Sequence, residues 1–337
     1  MSGTYLGHLS EHDPLYGYLQ HDIQPQVCSA SGSSAYRVFK LNGSNDVYRY
    51  EERNTGTKLI GKFFLSSRKR DAVKAGSRMT REFDNLCMMR GYGLVGCHHH
   101  VVRPLGRNYS MNALLVTEYR EGQLLSEVIT EVIHGGDHGK LYHKLTALAY
   151  FLASFHNRTA IGVGIEFHQD CEYMDRLIGK LLKIDTIGWD EARELYWLRD
   201  QWRNKPRMWE DQKVLVHGDA TPENFRFGKG LEVIAFDLEK TKYADRVFDT
   251  GHIAGELKHF FMRATGNRDA ADPFIGHFLW EYACHFPNRD SAFQSITGRT
   301  PFYMGMTLLR IARNSWIEPE YRRRLINEAK ECLRAGK

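Results

Sequence analysis

The chain has 337 residues, with 42% hydrophobic residues, 26% charged residues and a formal net charge of +5. This composition excludes a largely disordered chain, and the small charge excess does not favour a nucleic-acid partner. The length exceeds the usual size of one hydrophobic core, so two packed lobes are expected.

The first part of the chain predicts an N-terminal extension followed by a small α+β lobe. Residues 1–33 are polar and mixed and end in small residues, which is typical of a linker. Apolar residues at spacings of three and four predict a helix over 72–90, and alternating patterns between Gly/Asn turns predict five strands. These strands cover 35–41, 47–51, 58–65, 101–106 and 113–119.

From about residue 141 the pattern becomes mostly helical, so the second lobe is expected to be mainly α. Two short apolar strands interrupt it, at 213–216 and 231–236. The predicted helices cover 141–156, 173–183, 190–204, 253–263, 274–285 and 303–312.

Each of these two strands ends in polar residues that suit phosphoryl transfer. The first runs into a loop with Asp219 and Asn224, and the second ends at Asp237. Transfer from ATP needs Mg²⁺, which takes hard oxygen ligands of the kind that Asn224 and Asp237 supply. It also needs a carboxylate, free of the metal, that orients the attacking hydroxyl and accepts its proton. Asp219 is the candidate for this catalytic role.

The tripeptide His-Gly-Asp at 217–219, with Asn224 five residues after the aspartate, resembles the catalytic loop of the aminoglycoside phosphotransferase and choline kinase superfamily. The resemblance implies that Asp237, at the end of the next strand, binds the metal. The sequence from Asp237 to Glu239 resembles the Asp-x-Glu variant of choline and ethanolamine kinases. Glu239 is therefore expected to be a further metal or substrate residue.

Other positions of the family are matched in chain order. The family expects a Lys on the third strand and a Glu on the following helix, and Lys62 and Glu82 occupy those places. The resemblance implies that this lysine contacts the α and β phosphates, and that backbone groups near Glu118 and Tyr119 meet the adenine edge. Asp249 resembles the family aspartate that braces the catalytic loop. The resemblance covers residues 35 to 256.

The turn that covers the phosphates departs from the usual kinase pattern. It reads Asn-Gly-Ser-Asn-Asp at 42–46 and does not fit G-x-G-x-x-G. Related small-molecule kinases often have such a Ser/Asn loop, so its backbone N–H groups and the Ser44 hydroxyl are expected to face the phosphates. Lys58 is an alternative to Lys62, and Asp84 is an alternative to Glu82.

The acceptor is expected to be a small molecule. Only 12 positions separate Asp237 from Asp249, where protein kinases place a long activation segment. Aminoglycosides, amino alcohols and sugars stay open as acceptors, as does GTP in place of ATP. Aromatic residues such as Trp197 and Trp202 suit either a cage for a quaternary ammonium or the core, which their helical spacing favours. Acidic residues at 190–194 could either bind the amino groups of an aminoglycoside or stabilise the N-terminus of a helix.

Several other patterns carry no chemistry. The run Cys-His-His-His at 97–100 does not predict a metal site, because consecutive residues of an extended chain point to alternating faces. His217 is interpreted as a hydrogen-bonded brace.

The six cysteines form no C-x-x-C pair, so reduced thiols are expected. Without a leader or an apolar run near ~18 residues, we expect a cytoplasmic protein with no membrane contact. The sequence leaves the oligomeric state unknown.

The sequence thus predicts an α+β, protein-kinase-like fold of two lobes. An extension at 1–33 precedes an N-terminal nucleotide-binding lobe at 34–118, with an antiparallel sheet and a helix, and a mostly helical catalytic and substrate-binding lobe at 119–337. The predicted function is transfer of the γ-phosphoryl group from ATP, with Mg²⁺, to a hydroxyl of a small molecule. The alternatives are a protein kinase and a non-catalytic kinase-fold protein that binds a nucleotide or partner. The intact Asp219, Asn224 and Asp237 oppose the non-catalytic alternative.

Overall fold

The computed structural model describes residues 3–28, 35–41, 46–66 and 71–335. The chain divides into two compact units. The first comprises residues 1–122 and 234–240, and the second comprises 123–233 and 241–337. Ser44 and the turn around it lie outside the described residues.

An antiparallel sheet of six strands forms the centre of the first unit. Its strands are β1 (Thr4–His8), β2 (Tyr36–Leu41), β3 (Asp46–Glu52), β4 (Lys58–Phe63), β6 (Pro104–Asn108) and β7 (Leu114–Glu118), and β5 (His99–Val101) lies outside this sheet. Their spatial order is β1-β2-β3-β4-β7-β6. In this register Lys62 of β4 lies opposite Val47 of β3 and Leu115 of β7. The lysine therefore occupies the middle of the sheet.

The helix of the first unit, α2 (Ala72–Gly91), begins after Asp71. The Asp71 carboxylate accepts a hydrogen bond from Lys74 N (3.0 Å) and so caps the first turn. Buried side chains recur every three or four positions, as predicted, and include Ala75, Met79, Glu82, Leu86 and Met89. Burial of a carboxylate within this apolar stripe costs free energy unless the carboxylate is paired, so Glu82 is a candidate functional residue.

The N-terminal segment differs from the expected extension, because residues 4–26 are built into the first unit. β1 pairs with β2, and α1 (Pro14–Tyr18) leads into helical turns at Leu19–Ile23 and Gln24–Gln26. Four of its apolar residues are buried with Tyr36 and Tyr50: Leu15, Tyr16, Leu19 and Ile23. Their spacing is helical, but it is hidden in a segment whose average composition is polar.

The second unit is mostly helical, as predicted. Two pairs of short antiparallel strands join β8 (Gln123–Leu124) to β10 (Phe225–Phe227) and β9 (Val214–Val216) to β12 (Lys242–Ala244). A further strand, β11 (Val233–Ala235), leads into the last segment of the first unit. The helices are α3 (Leu125–Ile133), α4 (His138–Arg158), α5 (Phe167–Lys183), α6 (Trp189–Arg203), α7 (Val247–Thr265), α8 (Asp272–Ala283), α9 (Arg289–Ala312) and α10 (Pro319–Arg334).

α7 is buried on nearly every side, and α9 packs closely against it. A Cβ atom added to Gly251 would lie 2.5 Å from Tyr303 Cβ, and one added to Gly255 would lie 2.7 Å from Thr307 Cβ. Real Cβ atoms do not approach so closely, so the two glycines set the distance between these helices. Among the described residues, none of the helices combines the length and apolar character that a membrane span needs.

Candidate active site

Lys62 lies at the centre of a cluster of charged residues in the first unit. Its Nζ donates to Glu82 Oε2 (2.6 Å) and to Asp237 Oδ1 (2.9 Å). Lys62 and Glu82 are both buried, so the pair is formed away from bulk water. The two alternatives considered from the sequence are engaged elsewhere, since Lys58 pairs with Glu121 and Asp84 pairs with Arg107.

Burial and ion pairing have opposite effects on the pKa values of Lys62 and Glu82. Burial disfavours the Lys62 ammonium, but the neighbouring carboxylates of Glu82, Asp237 and Glu239 outweigh it and raise the pKa of Lys62. Burial raises the pKa of Glu82 to about 7, against the opposing effect of Lys62. Lys62 therefore stays cationic, and burial makes the Glu82 carboxyl hold its proton to a higher pH than an exposed glutamate does.

The segment that carries Asp237 is held against α2. Asn85 Nδ2 donates to the carbonyl of Leu238 (2.7 Å), and Arg78 Nη2 donates to Glu239 Oε2 (2.7 Å). Asp237 itself has a φ of 61°, a left-handed conformation that costs a non-glycine residue free energy and is common at functional sites. Arg78 and Asn85 lie on the same face of α2 as Glu82, at spacings of four and three. One helix face thus fixes the whole segment.

Three carboxylates of the cluster are close enough to share a metal ion. Glu82, Asp237 and Glu239 each offer an oxygen, and these oxygens lie within 4.8 Å of one another. Carboxylate oxygens are the hard donors that Mg²⁺ prefers. Because Glu82 is buried while Asp237 and Glu239 are only partly buried, Asp237 and Glu239 are the better suited pair of ligands.

The strand end at Glu118 is rigidly bonded. The Glu118 carboxylate contacts His100 Nε2 (2.6 Å) and accepts from Arg103 N (2.7 Å). Burial would raise the pKa of Glu118, but these two hydrogen bonds outweigh it and lower that pKa. The backbone N–H of Glu118 donates to Arg103 O and that of Tyr119 donates to Lys58 O. Both of these N–H groups are therefore engaged within the first unit.

In the second unit, the loop at 217–219 follows the buried strand β9 and is fixed by Asp249 in the first turn of α7. Asp249 Oδ2 accepts from His217 N (2.6 Å), and Oδ1 accepts from Gly218 N (3.0 Å). Gly218 has a φ of 78°, which explains the glycine between the histidine and Asp219. The sequence assigned this bracing role to Asp249, and these two hydrogen bonds confirm it.

Asp249 is oriented by a buried histidine that the sequence did not reveal. His156 Nε2 contacts Asp249 Oδ2 (3.2 Å), and His156 Nδ1 contacts the hydroxyl of Tyr282 (2.7 Å). Burial lowers the pKa of His156, so its neutral form donates from Nε2 to the carboxylate and accepts the tyrosine proton. A histidine on α4 within a run of apolar core residues was the available signal.

Asn224 closes the loop that begins at residue 217 from its other end. Its Nδ2 donates to the backbone carbonyl of Asp219 (2.9 Å), which also accepts from Thr221 N (2.8 Å). The two loop residues predicted for catalysis and for the metal are thus directly bonded. The bond fixes the side chain of Asn224 and orients its amide oxygen.

The Asp219 carboxylate contacts an arginine that the sequence analysis missed. Arg310 Nη1 lies 3.1 Å from Asp219 Oδ1, and Nη2 of the same side chain bonds to Glu256. Burial raises the pKa of Glu256 to about 7, opposed by Arg310 and reinforced by Glu223 and Asp219. The signal in the sequence was an arginine within the apolar residues 308–312 of α9.

A cavity of about 470 Å³ opens beside the same loop. Glu223, the residue before Asn224, lines it, and burial raises the pKa of Glu223. The remaining lining residues come from α3, from α7 and from the segment before α10: Thr130, Ile133, His134, His259, Phe260, Arg263, Ala264 and Trp316. This volume lies in the usual range for small-molecule sites.

The aromatic and acidic residues considered from the sequence do not line this cavity, and the core interpretation is wrong for Trp197, which is 48% exposed. Trp202 is fully buried and donates to the carbonyl of Leu333 (2.8 Å), as its spacing predicted. Glu191 and Glu194 pair with Lys330 of α10, at 2.9 and 3.0 Å, so they join helices. The histidines at 98–100 form no metal cluster with Cys97 in the described part of the chain.

Comparison with known proteins gives the family. A model described as the phosphotransferase enzyme family matches residues 36–285, which is most of the chain. The chain belongs to this phosphotransferase family. The resemblance seen in the catalytic loop is thereby confirmed. A comparison with curated proteins finds no match.

Solved structures of several phosphotransferases share the fold. The gentamicin complex of APH(2″)-IIa is 13% identical, covers 98% of both chains and gives a TM-score of 0.56. An ethanolamine kinase of Plasmodium vivax is 13% identical, covers 89% of this chain and 81% of its own, and gives a TM-score of 0.55. The amicoumacin kinase hAmiN, in complex with AMP-PNP, Ca²⁺ and Ami, is 16% identical over 88% of both chains, with a TM-score of 0.56. The predicted α+β, kinase-like fold is confirmed by these structures.

Proposed function

We propose that this phosphotransferase moves the γ-phosphoryl group of ATP, with Mg²⁺, to a hydroxyl group of a small molecule. The observation that carries the proposal is the contact of Lys62 Nζ with both Glu82 and Asp237. A lysine held by a glutamate is how kinases bind ATP phosphates, and an aspartate beside it suits the metal. The neighbouring amicoumacin kinase was solved with AMP-PNP and Ca²⁺, which supports a nucleotide and a divalent ion here.

Mg²⁺ would be held by Asp237 and Glu239, with Asn224 as the further ligand predicted from the sequence. The fit rests on the donor chemistry, because the carboxylate oxygens are hard and lie within 4.8 Å of one another. When bound, the ion neutralises charge on the β- and γ-phosphate oxygens. In the same proposal, Glu118 and Tyr119 contribute backbone carbonyls to adenine binding, and Ser44 remains a predicted phosphate contact.

Asp219 is the proposed catalytic residue of the second unit. Its carboxylate would orient the acceptor hydroxyl and accept the proton as the oxygen attacks phosphorus. The loop that carries it is fixed by Asp249 on one side and by Asn224 on the other. Such rigid support keeps a catalytic group within a fraction of an ångström of its productive position.

The acceptor is proposed to bind in the cavity beside Glu223. This cavity adjoins the catalytic loop, has aromatic surfaces from Phe260 and Trp316, and has charged groups from Glu223 and Arg263. Aromatic faces with a few polar groups suit a compact polar molecule such as an aminoglycoside, an amino alcohol or a sugar.

The test is acceptor-dependent release of nucleoside diphosphate, which is ADP from ATP and GDP from GTP. The protein is incubated with Mg-ATP, or with Mg-GTP, and a panel of aminoglycosides, choline, ethanolamine and simple sugars, with Asp219→Asn as the control. Release that depends on the acceptor and is lost in the variant supports the proposal and identifies the acceptor class. Binding of Mg-ATP by calorimetry without any turnover would favour a non-catalytic nucleotide-binding protein. If neither nucleotide binds, the proposal is wrong.

A further inference from the structure

Arg310 joins two carboxylates of the second unit through the two ends of its guanidinium group. Nη1 donates to Asp219 Oδ1 (3.1 Å), and Nη2 donates to Glu256. The side chains of Arg310 and Glu256 are 16% and 8% exposed. Both groups have therefore lost most of their hydration, which is costly unless they are paired.

Packing alone does not require an arginine at this position. The neighbours of Arg310 on α9 include Leu308, Leu309 and Ile311, all buried and apolar. Replacement of both members of a buried ion pair by apolar residues is often neutral or stabilising, so the Arg310–Glu256 pair contributes little net stability, whereas replacement of one member leaves a buried charge unpaired and is destabilising. The contact with Asp219 is thus the property that distinguishes Arg310 from an apolar residue.

α7 supplies the support for both parts of the catalytic loop. Asp249 and Glu256 lie seven residues apart, which places them two turns apart on one face of the helix. Asp249 binds the backbone just before Asp219, and Glu256 binds Arg310, which contacts the Asp219 side chain. The backbone before Asp219 and the Asp219 carboxylate are therefore both held in place by α7.

The close packing of α7 and α9 fixes the position of the arginine. Gly251 meets Tyr303 and Gly255 meets Thr307 along the helix contact, and Arg310 follows Thr307 by three residues, nearly one turn. A guanidinium fork held at Nη2 by a carboxylate on the facing helix loses little freedom when Nη1 binds a second group.

We propose that Arg310 is a positioning residue for phosphoryl transfer: held by Glu256, it fixes the Asp219 carboxylate in the orientation that receives the acceptor proton. This inference rests on the proposed function. In the step concerned, the acceptor oxygen forms a bond to the γ-phosphorus, and the bond from that phosphorus to the bridging oxygen breaks, its electron pair leaving with ADP. The hydroxyl proton passes to an Asp219 oxygen.

The experiment compares three Arg310 variants with one matched control. Arg310→Met removes the fork, Arg310→Lys keeps the charge but loses the fork geometry, and Arg310→Ala leaves room for added guanidinium ion. Lys258→Met is the control, because Lys258 is a buried cation on α7 that pairs with Asp272 (3.2 Å) and Glu328 (3.4 Å). Water can itself act as the phosphoryl acceptor, so ADP release is measured both with water as the only acceptor and with the best acceptor of the panel.

The expected result separates kcat from KM. Arg310→Met lowers kcat about 10- to 100-fold and leaves the KM for ATP within about twofold, because it removes the group that bonds to the Asp219 carboxylate and leaves Lys62 and Glu82 unchanged. Arg310→Lys recovers part of kcat, and millimolar guanidinium ion raises kcat of Arg310→Ala. Lys258→Met lowers the midpoint of thermal unfolding and keeps the wild-type kcat.

Three results would overturn the inference, and they distinguish its failure from that of the proposed function. If the wild type is active and Arg310→Met keeps its kcat, or if Lys258→Met loses kcat as much as Arg310→Met does, then Arg310 has no positioning role. If the wild type releases no ADP with any acceptor or with water, then the proposed function fails and the role of Arg310 fails with it.

Discussion

Replacement of Asp249 by alanine should release the catalytic loop at a cost that can be worked from its contacts. The carboxylate accepts from two backbone N–H groups, those of His217 and Gly218, at 2.6 and 3.0 Å. Each N–H left without a partner costs about 1–3 kcal/mol, so Asp249→Ala should lower the free energy of unfolding by about 2–6 kcal/mol. For a unit of this size, the midpoint of thermal unfolding should fall by about 2–4 °C per kcal/mol.

Hydrogen exchange resolves this effect at the loop itself. In the wild type the amides of His217 and Gly218 should exchange slowly, because both are bonded to Asp249 inside the second unit. In Asp249→Ala both amides should exchange faster by more than the global loss of stability explains. Asp245→Ala is a matched control, since Asp245 is equally buried and bonds to Val247 N (2.9 Å) and Arg299 (2.9 Å).

The reasoning is refuted if the two loop amides remain as protected in Asp249→Ala as in Asp245→Ala. That outcome would mean that other contacts hold the loop and that Asp249 contributes only to overall stability. Loss of ADP release in Asp249→Ala, with Mg-ATP binding retained, would add that the loop must be rigid for turnover.

Three further predictions follow from the packing and charge of the two units. Gly255→Val should lower stability by about 1–3 kcal/mol by overpacking against Thr307, and an unchanged unfolding midpoint in urea would contradict this. Burial raises the pKa of Glu82 to about 7 in the native state, so ionisation of Glu82 should lower the stability of the wild type increasingly between pH 4.5 and 7. The stability of Glu82→Gln relative to the wild type should therefore rise over that range, by on the order of 3 kcal/mol. A stability difference that does not change with pH would contradict this prediction. Deletion of residues 1–28 should expose the apolar core of the first unit and lower its unfolding temperature in calorimetry, while an unchanged trace would show that the segment is dispensable.

The parts of the fold that the sequence predicted are those with a strong local period. The Gly/Asn turns that separate β2, β3 and β4 are local signals, and the spacing in α2 is set by burial of one face, so both can be read without tertiary information. α10 was missed although Leu325, Ile326 and Ala329 follow a helical spacing, because charged residues dominate its composition. The N-terminal segment was missed for a similar reason, since its few apolar residues are diluted by polar ones.

The site divides in the same way. Asp219, Asn224 and Asp237 lie within 19 positions of one another, so one motif identifies them together. Arg310 contacts Asp219 across 91 positions, and no local pattern determines which residue of α9 faces the loop. That choice is made by the packing of α7 against α9 at Gly255, which only the structure supplies.

The arrangement on α7 would link the proposed acceptor cavity to the proposed catalytic residue Asp219. Asp249, Glu256 and Arg263 recur every seven residues, so the loop brace, the support of Arg310 and one wall of the proposed acceptor cavity lie along one stripe of one helix. A change that moves this helix to reshape the cavity would also move Asp219, and it would reduce turnover of every acceptor. The cavity residues outside α7, on α3 and at Trp316, are free of this constraint. Differences in acceptor preference among related chains should therefore concentrate at these positions, while the α7 stripe stays fixed.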